Sequence, residues 1–410
     1  MPEAASPQML IFGAGNIGRS FVGQIFGRAG FAPVFADVDH ELVDALNRDG
    51  RYAVVHRHPD GREERLSIPR VSAVYADDPI AVGDVLRRVR FVATSVGAAV
   101  LPRILPTLAQ EAARRYHTGQ DPFDLILAEN IHGGGEMART AILAAMPTRD
   151  ESVPDVYYEG TTPHGGVPGV VECSVGKMVP IVPEELRRRE PTTVYAEAFN
   201  TLLVDAEGWA GPLPDIPQLR PVKPIHAWVD RKLYVHNLGH AASAYLGFLH
   251  LPDRTYIADV ITDPAVSREV RTAMETSAAG LQAEYPGVFS DDDITGHIED
   301  LVYRFGSPIL GDTVFRVGRD IRRKLSSGDR IAGALHLARR HHLATEPLER
   351  IYQAALHFRA RDEDGNLFPE DERFHRELQT HPDPTTFLAE LSGFDPRDDH
   401  PLLERLLGRR

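Results

Sequence analysis

The segment MLIFGAGNIGRSFVGQIF has three glycines in the spacing G-x-G-x-x-G, directly after an apolar stretch of strand length. In a strand–turn–helix unit the first glycine permits a tight turn, the second lets the backbone approach a pyrophosphate, and the third lets the helix pack closely on the strand. The N–H groups at the start of the helix would face the phosphate charge. The residues predicted to form this dinucleotide-binding turn are Gly13, Gly15, Asn16, Ile17 and Gly18.

An acidic residue follows at the distance that such a unit requires. Asp37 lies 19 residues after Gly18, at the end of the predicted second strand PVFADVD. A carboxylate at this position accepts hydrogen bonds from the adenosine ribose hydroxyls and repels a 2′-phosphate, so the predicted cofactor is NAD and not NADP. The alternative is a glycine-rich turn followed by an ordinary helix-capping aspartate. Strand, turn, helix and acidic residue nevertheless occur in the order that the dinucleotide site needs.

Apolar segments of strand length alternate with helix-length segments through the first half of the chain. The predicted strands are Met9–Phe12, Pro33–Ala36, Arg90–Val96, Phe123–Ala128 and Val170–Val175. This alternation predicts an α/β fold with a doubly wound parallel sheet. The stretch 51–75 is predicted to form a hairpin excursion. Strand signals fade after about Tyr195 and helical periodicity takes over, so we predict a dinucleotide-binding domain at 1–194 and a mainly helical substrate domain at 195–410.

Composition excludes several classes of partner. The net charge of −14 argues against nucleic acid or an anionic membrane surface as a partner. The single cysteine cannot form an intramolecular disulfide. The first residues do not resemble a signal peptide, and no apolar run has the length of a membrane span, which predicts a cytoplasmic location. The expected partner is a small molecule, and nothing in the sequence indicates an oligomeric state.

Two residues at predicted strand ends are candidates for the ligand site, because ligands in open α/β sheets collect at the carboxyl ends of strands. Gly97, in TSVGAA, would allow a close approach of the cofactor, or it is a plain strand-to-helix turn. Asn130 ends the run FDLILAEN, where its amide can donate to an oxyanion. Its alternative role is the N-cap of a helix that begins near Gly134.

The candidate groups for proton transfer lie in VDRKLYVHNLGHAASAYLG. Taking hydride from a secondary alcohol needs a base for the hydroxyl proton and donors for the developing alkoxide. In α-helical geometry Lys232, Asn237 and His240 fall within an arc of about 140°, and His236 lies inside the same arc. Burial would lower the pKa of the lysine towards about 7–8, where it is an effective base. The alternative is a helix-start lysine, a capping asparagine and a core histidine.

Two further patterns bear on metals and anions. His236 and His240 are four residues apart, as zinc-binding histidines are, but no third ligand is evident, so a catalysis without metal is predicted. In FRVGRDIRRKL, Arg316, Arg319 and Arg323 have the spacing of one helix face. Such a face can hold an anionic substrate group, and the alternative is a solvated basic surface.

Five segments together resemble the polyol-specific long-chain dehydrogenases of the mannitol dehydrogenase family, and most closely those that act on mannitol 1-phosphate. They are FGAGNIGRSFVG, FADVD, AEN, VDRKLYVHNLGHAASAYLG and RVGRDIRRKLSSGDR. The resemblance covers nearly the whole chain, as far as ALHFRARDE. It implies a Rossmann-type domain followed by a mainly helical domain, with NAD-dependent, metal-independent interconversion of a polyol or polyol phosphate and its ketose. It also implies that Lys232 is the general base, that Asn130 and Asn237 polarise the oxygen, and that His240 positions it.

The sequence departs from the mannitol-phosphate enzymes at positions that bear on the substrate. Those enzymes usually have an arginine two or three positions after the asparagine, where this chain has His132 and Gly133. Gly176 and Lys177 replace a usual Asp-Arg pair, which makes Lys177 a candidate phosphate ligand together with Arg316 and Arg319. Insertions occur near 56–72 and 146–168. A non-phosphorylated hexitol or a hexuronate-type sugar acid is therefore the alternative substrate.

A protein of another class also has to be considered. A non-catalytic NAD-binding sensor would keep the glycine turn and Asp37. It would have no need of a lysine base, so the complete motif around Lys232 favours an enzyme.

Overall fold

The computed structural model describes residues 6–58, 60–146, 166–180 and 184–409. Most of the predicted insertion at 146–168 lies outside these residues. The chain divides into two compact units, unit 1 at Met1–Trp228 and unit 2 at Val229–Arg410. The predicted boundary between residues 194 and 195 lies inside a strand, Thr193–Glu197.

Unit 1 is built on an eight-stranded sheet. Its strands are β1 (Gln8–Phe12), β2 (Ala32–Asp37), β5 (Ser72–Tyr75), β6 (Phe91–Thr94), β7 (Asp124–Leu127), β8 (Gly169–Ser174), β10 (Leu202–Asp205) and β11 (Leu219–Val222). Their order is β11-β10-β8-β7-β6-β1-β2-β5, and only the β8–β10 pair is antiparallel. The six parallel strands from β5 to β8 thus follow the order 3-2-1-4-5-6 of a doubly wound dinucleotide-binding sheet. The predicted fold class is confirmed.

Both faces of this sheet are buried. Met9 and Ile11 of β1 belong to one hydrophobic cluster, whereas Leu10 and Phe12 belong to a second cluster on the opposite face. Because successive side chains of a strand point to opposite faces, a strand covered on both sides has a continuous apolar sequence. The helices of unit 1 are α1 (Gln24–Arg28), α2 (His40–Asp49), α3 (Pro79–Leu86), α4 (Leu101–Thr118), α5 (Gly134–Ala145) and α6 (Glu184–Arg189), and a π-helical segment, π1 (Gly18–Gly23), precedes α1.

A second, three-stranded sheet contains the predicted hairpin. β3 (Arg51–Arg57) and β4 (Glu63–Pro69) pair antiparallel, and β9 (Thr193–Glu197) joins β3 in parallel. The expectation that strands end near Tyr195 is wrong, because β9, β10 and β11 follow or include that residue. These strands are four or five residues long and β10 and β11 lie at the end of the sheet, so they lack the long apolar run by which the central strands are recognised.

Unit 2 is helical, and the only β-type pairing in its described residues is the bridge between Tyr256 and Thr313. The chain enters it through α7 (Ile225–Arg231), which is followed at once by a second π-helical segment, π2 (Lys232–Asn237). The remaining α-helices are α8 (Leu238–His250), α9 (Ile257–Ile261), α10 (Pro264–Glu284), α11 (Asp291–Phe305), α12 (Val314–Gly318), α13 (Ile321–Lys324), α14 (Ala332–Arg340), α15 (Glu346–His357), α16 (Pro369–Thr380), α17 (Pro384–Ser392) and α18 (His400–Leu406).

The longest helix, α10, organises unit 2 and packs against α8, α14 and α15. It begins where Asp263 accepts hydrogen bonds from the backbone N–H groups of Ala265 and Val266, at 2.9 and 3.1 Å. Such a cap satisfies donors that the first helical turn leaves without partners. In the part of the chain that the structure describes, no helix combines the length and the hydropathy needed to cross a bilayer.

Candidate active site

The glycine turn of unit 1 has the geometry that its sequence predicts. Gly13 has φ +92°, and its N–H donates to the carbonyl of Ala36 at 2.8 Å. A Cβ atom on Gly18 would lie 2.0 Å from the carbonyl oxygen of Gly13, so only glycine permits this approach. Gly15, by contrast, is exposed, and a Cβ atom added to it would meet no other atom within 4 Å. The protein therefore packs tightly against the turn at Gly18, whereas Gly15 and Asn16 are exposed.

Asp37 lies beside this turn at the end of β2. One oxygen, Oδ2, accepts the N–H of Ala14 at 2.6 Å, and Oδ1 accepts the N–H of Asp39 at 3.0 Å. The two hydrogen bonds hold the carboxylate next to the glycine turn. It is half-buried there.

A carboxylate that sequence reasoning missed organises the neighbouring loop. Glu129 is buried, and its two oxygens accept the N–H groups of Val96 and Gly97 at 2.9 and 2.8 Å. Gly97 has φ +88°, which confines the position to glycine in practice. The side chain of Glu129 thus ties the end of β6 to the end of β7. The sequence feature that could have identified Glu129 is its position in the segment AEN, directly before Asn130.

Asn130 is exposed and directly follows Glu129 at the carboxyl end of β7. It is not the N-cap of α5, because that position is occupied by Gly133 at φ +74° and no side chain caps the helix. The capping alternative for Asn130 is therefore wrong.

Lys177 is buried in unit 1. Its Nζ lies 5.3 Å from the ring centre of Phe21 in π1 and 3.3 Å from Oδ1 of Asn200. Its charge also contributes to lowering the pKa of His56 to about 4, although burial is the larger cause. Lys177 therefore packs against the segment that follows the glycine turn.

Lys232 and Asn237 of unit 2 are the two ends of π2. A π-helix has hydrogen bonds between residues i and i+5, so these two positions lie one turn apart on the same face. The prediction of α-helical geometry for these residues is wrong. The reason is tertiary: the hydroxyl of Ser277 on α10 donates to the carbonyl of Tyr234 at 2.7 Å and so satisfies a backbone group within the wider turn.

The glycine turn continues into a π segment that is stabilised in the same way. In π1 the carbonyl of Arg19 accepts the hydroxyl of Tyr52 at 2.8 Å. The buried Arg19 side chain returns to the carbonyl of Ala14 at 2.5 Å and reaches that of Pro191 at 2.9 Å. Both sequence motifs with predicted chemistry thus lie on or beside π-helical turns, which are frequent at functional sites.

Burial, assisted by the charge of Arg330, lowers the pKa of Lys232 to about 8. An amine with this pKa exchanges protons close to neutrality, unlike a solvent-exposed lysine. Asn237 does not cap α8, since it makes no side-chain capping bond and π2 runs directly into that helix. The interpretation of these residues as an ordinary helix start is therefore not supported.

His236 and His240 both pack against Phe305 of α11. The ring of His240 stacks on it at 4.9 Å with 14° between the planes, and the ring of His236 lies at 5.7 Å. Burial lowers the pKa of His240 to about 3, with Arg316 as the next cause, and also lowers the pKa of His236. Both imidazoles are consequently neutral near pH 7.

The basic segment after α11 does not form one helix face. α12 ends at Gly318, and Asp320 has φ +67° before α13 begins, so Arg319 lies in a break and not in a helix. Its guanidinium packs over the rings of Phe315 and Phe368. The expected alignment of the three arginines is wrong, because the buried carboxylate of Asp371, distant in sequence, accepts the N–H groups of Asp320 and Ile321 and stabilises the break.

Each of the two other arginines has an acidic partner. Arg316 pairs with Asp312, and Arg323 pairs with Asp320 and Asp329. Lys324, which the sequence pattern does not single out, is buried and donates to the carbonyl of Arg319. Burial and the charge of Arg330 lower its pKa to about 7.

Profiles of two protein domains match the chain. That of the mannitol dehydrogenase Rossmann domain covers residues 7–218, and that of the mannitol dehydrogenase C-terminal domain covers residues 224–404. The chain belongs to the mannitol dehydrogenase family. Membership confirms the predicted family and the predicted enzyme class, a polyol dehydrogenase that uses NAD.

Solved structures of similar fold include two polyol dehydrogenases. D-sorbitol dehydrogenase in its substrate-free form is 18% identical, with a TM-score of 0.74 over 98% of this chain and 92% of its own. Mannitol 2-dehydrogenase of Pseudomonas fluorescens, in a ternary complex with NAD and D-mannitol, is 16% identical, with a TM-score of 0.74 over 99% and 92%. At these identities the likeness is one of fold.

Proposed function

We propose that this protein catalyses reversible hydride transfer between NAD and a secondary alcohol carbon of an acyclic polyol, with Lys232 as the general base. The observation that carries the proposal is a lysine with a pKa of about 8 one π turn from Asn237. Bound NAD supplies the hydride acceptor. Lys232 takes the hydroxyl proton, and the Asn237 amide donates to the oxygen as negative charge develops on it. By the family resemblance, Asn130 is a second donor.

The residues of unit 1 are proposed to hold the dinucleotide. The backbone N–H groups of the exposed residues Gly15 and Asn16 would bind the pyrophosphate, and the carboxylate of Asp37 would bind the ribose hydroxyls. The proposed dinucleotide site also includes Ile17, Gly18 and Gly97. The mannitol 2-dehydrogenase with a similar fold is a complex with NAD, which agrees with this assignment.

The preferred substrate is mannitol 1-phosphate, which would give fructose 6-phosphate. The support is a set of basic groups of unit 2 whose charges, after burial, lower the pKa of His240: Arg316, Arg330, Lys324 and Arg304. Positive charge favours an anionic substrate over a neutral one. Among the described residues Lys324 is the cation of this group without a carboxylate partner, so it is our first candidate to contact a phosphate.

A hexuronate-type sugar acid is the second candidate, because the same charges would attract a carboxylate. The deciding experiment measures NADH formation by the purified protein with mannitol 1-phosphate, mannitol and sorbitol, and NADH consumption with hexuronates. We expect the highest kcat/KM with the phosphate ester. Turnover of free hexitols alone would refute the choice of an anionic substrate, and the absence of turnover with every polyol and sugar acid would refute the proposed function.

The pH dependence follows from the pKa of Lys232. Only the neutral amine can accept a proton, so kcat/KM for alcohol oxidation is expected to rise with pH and level off above about 8, with a tenfold loss for each pH unit below. Ketose reduction needs the protonated amine and is expected to fall above that pH. Initial rates in both directions from about pH 6 to 10 test this. Profiles without opposite slopes would contradict the assignment of the base.

A further inference from the structure

The imidazole of His240 is held from two sides. One face stacks on Phe305, and Nε2 lies 3.1 Å from Oδ2 of Asp312. The two atoms are at hydrogen-bond distance, although their alignment is not yet that of a hydrogen bond. Such contacts in an active site commonly become aligned when the substrate binds. The stacking fixes the plane of the imidazole ring. The edge that carries Nε2 therefore faces the carboxylate of Asp312 in a defined orientation.

Asp312 is itself rigidly placed. Its carbonyl accepts the N–H of Ile257 at 2.9 Å, and the N–H of Val314 donates to the carbonyl of Thr255 at 2.8 Å. These bonds flank the bridge between Tyr256 and Thr313 and fasten the segment before α12 to the start of α9. The second carboxylate oxygen, Oδ1, pairs with Arg316. Only Oδ2 is left to face His240, and the side chain is buried.

The contact with Asp312 bears on which ring nitrogen of His240 carries the proton. Burial and the surrounding cations keep the ring neutral at physiological pH. A neutral imidazole has one N–H donor and one lone pair, and the partner of one nitrogen decides which atom carries the proton. A carboxylate is an acceptor only, so it selects the tautomer whose proton points at it.

We infer that Asp312 is a positioning residue, which holds His240 with its proton on Nε2 so that Nδ1 accepts a hydrogen bond from a substrate hydroxyl. This inference rests on the proposed function. The developing alkoxide needs donors, so a nitrogen that can only accept does not serve the reacting oxygen. It serves a neighbouring hydroxyl, which is a donor. Asp312 thus makes the site selective for a polyol with a hydroxyl beside the reacting carbon.

A double-mutant cycle tests whether Asp312 acts through His240. Asp312→Asn keeps the size of the side chain and removes the charge that selects the tautomer, and kcat/KM for the polyol is expected to fall about 10- to 100-fold. In the His240→Ala background the same substitution should cost less than about twofold. Equal losses in both backgrounds would overturn the inference, because Asp312 would then act through Arg316 or the fold. Glu377→Gln, which removes the carboxylate paired with Arg322, is the matched control and should leave kcat/KM unchanged.

Substrate analogues test the role of Nδ1. A polyol lacking the hydroxyl next to the reacting carbon should be a poorer substrate of the wild-type protein by at least about tenfold, since Nδ1 of His240 would lose its donor. Asp312→Asn should discriminate less between the two compounds. Unchanged discrimination in the variant would contradict the proposed contact.

A spectroscopic measurement decides the tautomer without turnover. Nitrogen-15 NMR of the histidine-labelled protein, with the His240 signals assigned from a His240→Gln sample, should show a proton on Nε2. Asp312→Asn should reduce this preference, whereas Glu377→Gln should not. A proton on Nδ1 in the wild-type protein would overturn the inference even if the polyol dehydrogenase activity is demonstrated. A protein that turns over no polyol would refute the proposed function, while the tautomer would still be measurable.

Discussion

Replacement of Lys232 with alanine is expected to reduce kcat for polyol oxidation by at least about 10²-fold, while NAD binding survives. The substitution removes the one group in π2 whose pKa, about 8, suits a base near neutrality. The glycine turn and Asp37 belong to unit 1, so the affinity for NAD should change little. Steady-state rates give kcat, and quenching of protein fluorescence by NADH gives the dissociation constant.

Two control variants separate loss of the base from loss of charge or structure. Lys232→Arg keeps a cation that remains protonated at every accessible pH, so it should be inactive as well. Lys223→Ala removes an exposed lysine that pairs with Glu207, and its activity should equal that of the wild type. Unchanged turnover in Lys232→Ala would refute the assignment of the base. A wild-type protein that binds NAD and oxidises nothing would favour the sensor.

Alanine substitutions at Gly18 and at Gly15, two of the three glycines of the turn, should have different effects. Gly18→Ala would place a methyl group 2.0 Å from the carbonyl of Gly13 and 2.8 Å from Oγ of Ser95. Overpacking of this kind typically costs about 1–3 kcal/mol, or roughly 2–4 °C in Tm for each kcal/mol in a domain of this size. We therefore expect Gly18→Ala to lower both the Tm and the affinity for NAD.

Gly15→Ala should leave the fold intact and still weaken NAD binding by at least about tenfold, because the added methyl takes space that a pyrophosphate needs. Apart from residue 15 itself and its two chain neighbours, no protein atom lies within 4 Å of that methyl position. Gly83→Ala in α3, with its nearest contact at 3.5 Å, is the matched control and should lower neither the Tm nor the affinity for NAD, because alanine is the better helix former. Calorimetry and NADH titration measure the two effects. An unchanged affinity for NAD in Gly15→Ala would contradict the proposed pyrophosphate site.

Sequence patterns predicted the local structure correctly where the whole pattern lies within a short stretch of chain. The strand around Met9–Phe12, the three glycines and Asp37 were all recognised, because strand, turn and helix follow one another within a short stretch of chain. Gly13 and Gly97 indeed have positive φ values, which glycine alone adopts freely. The short strands β10 and β11 were missed, since four residues do not establish a periodicity.

The residues that sequence reasoning missed act through partners far along the chain. Glu129 accepts two N–H groups more than thirty residues earlier, at Val96 and Gly97. Asp312 approaches His240 although more than seventy residues separate them. An isolated aspartate such as Asp312 has no local pattern that distinguishes such a role from a solvated charge, and for Glu129 the sole sequence signal is its position next to Asn130.

The sequence by itself determined the kind of protein: an α/β dinucleotide-binding domain, a mainly helical second half, and a lysine–asparagine–histidine motif for which we propose a role in alcohol oxidation. Only the tertiary structure decided the geometry of that motif. Ser277 supplies a hydrogen bond that stabilises π2, Asp371 stabilises the break in the basic segment, and burial lowers the pKa of Lys232. Hydrophobic periodicity and turn glycines are properties of neighbouring residues, whereas helix type and proton affinity depend on what the fold packs against them.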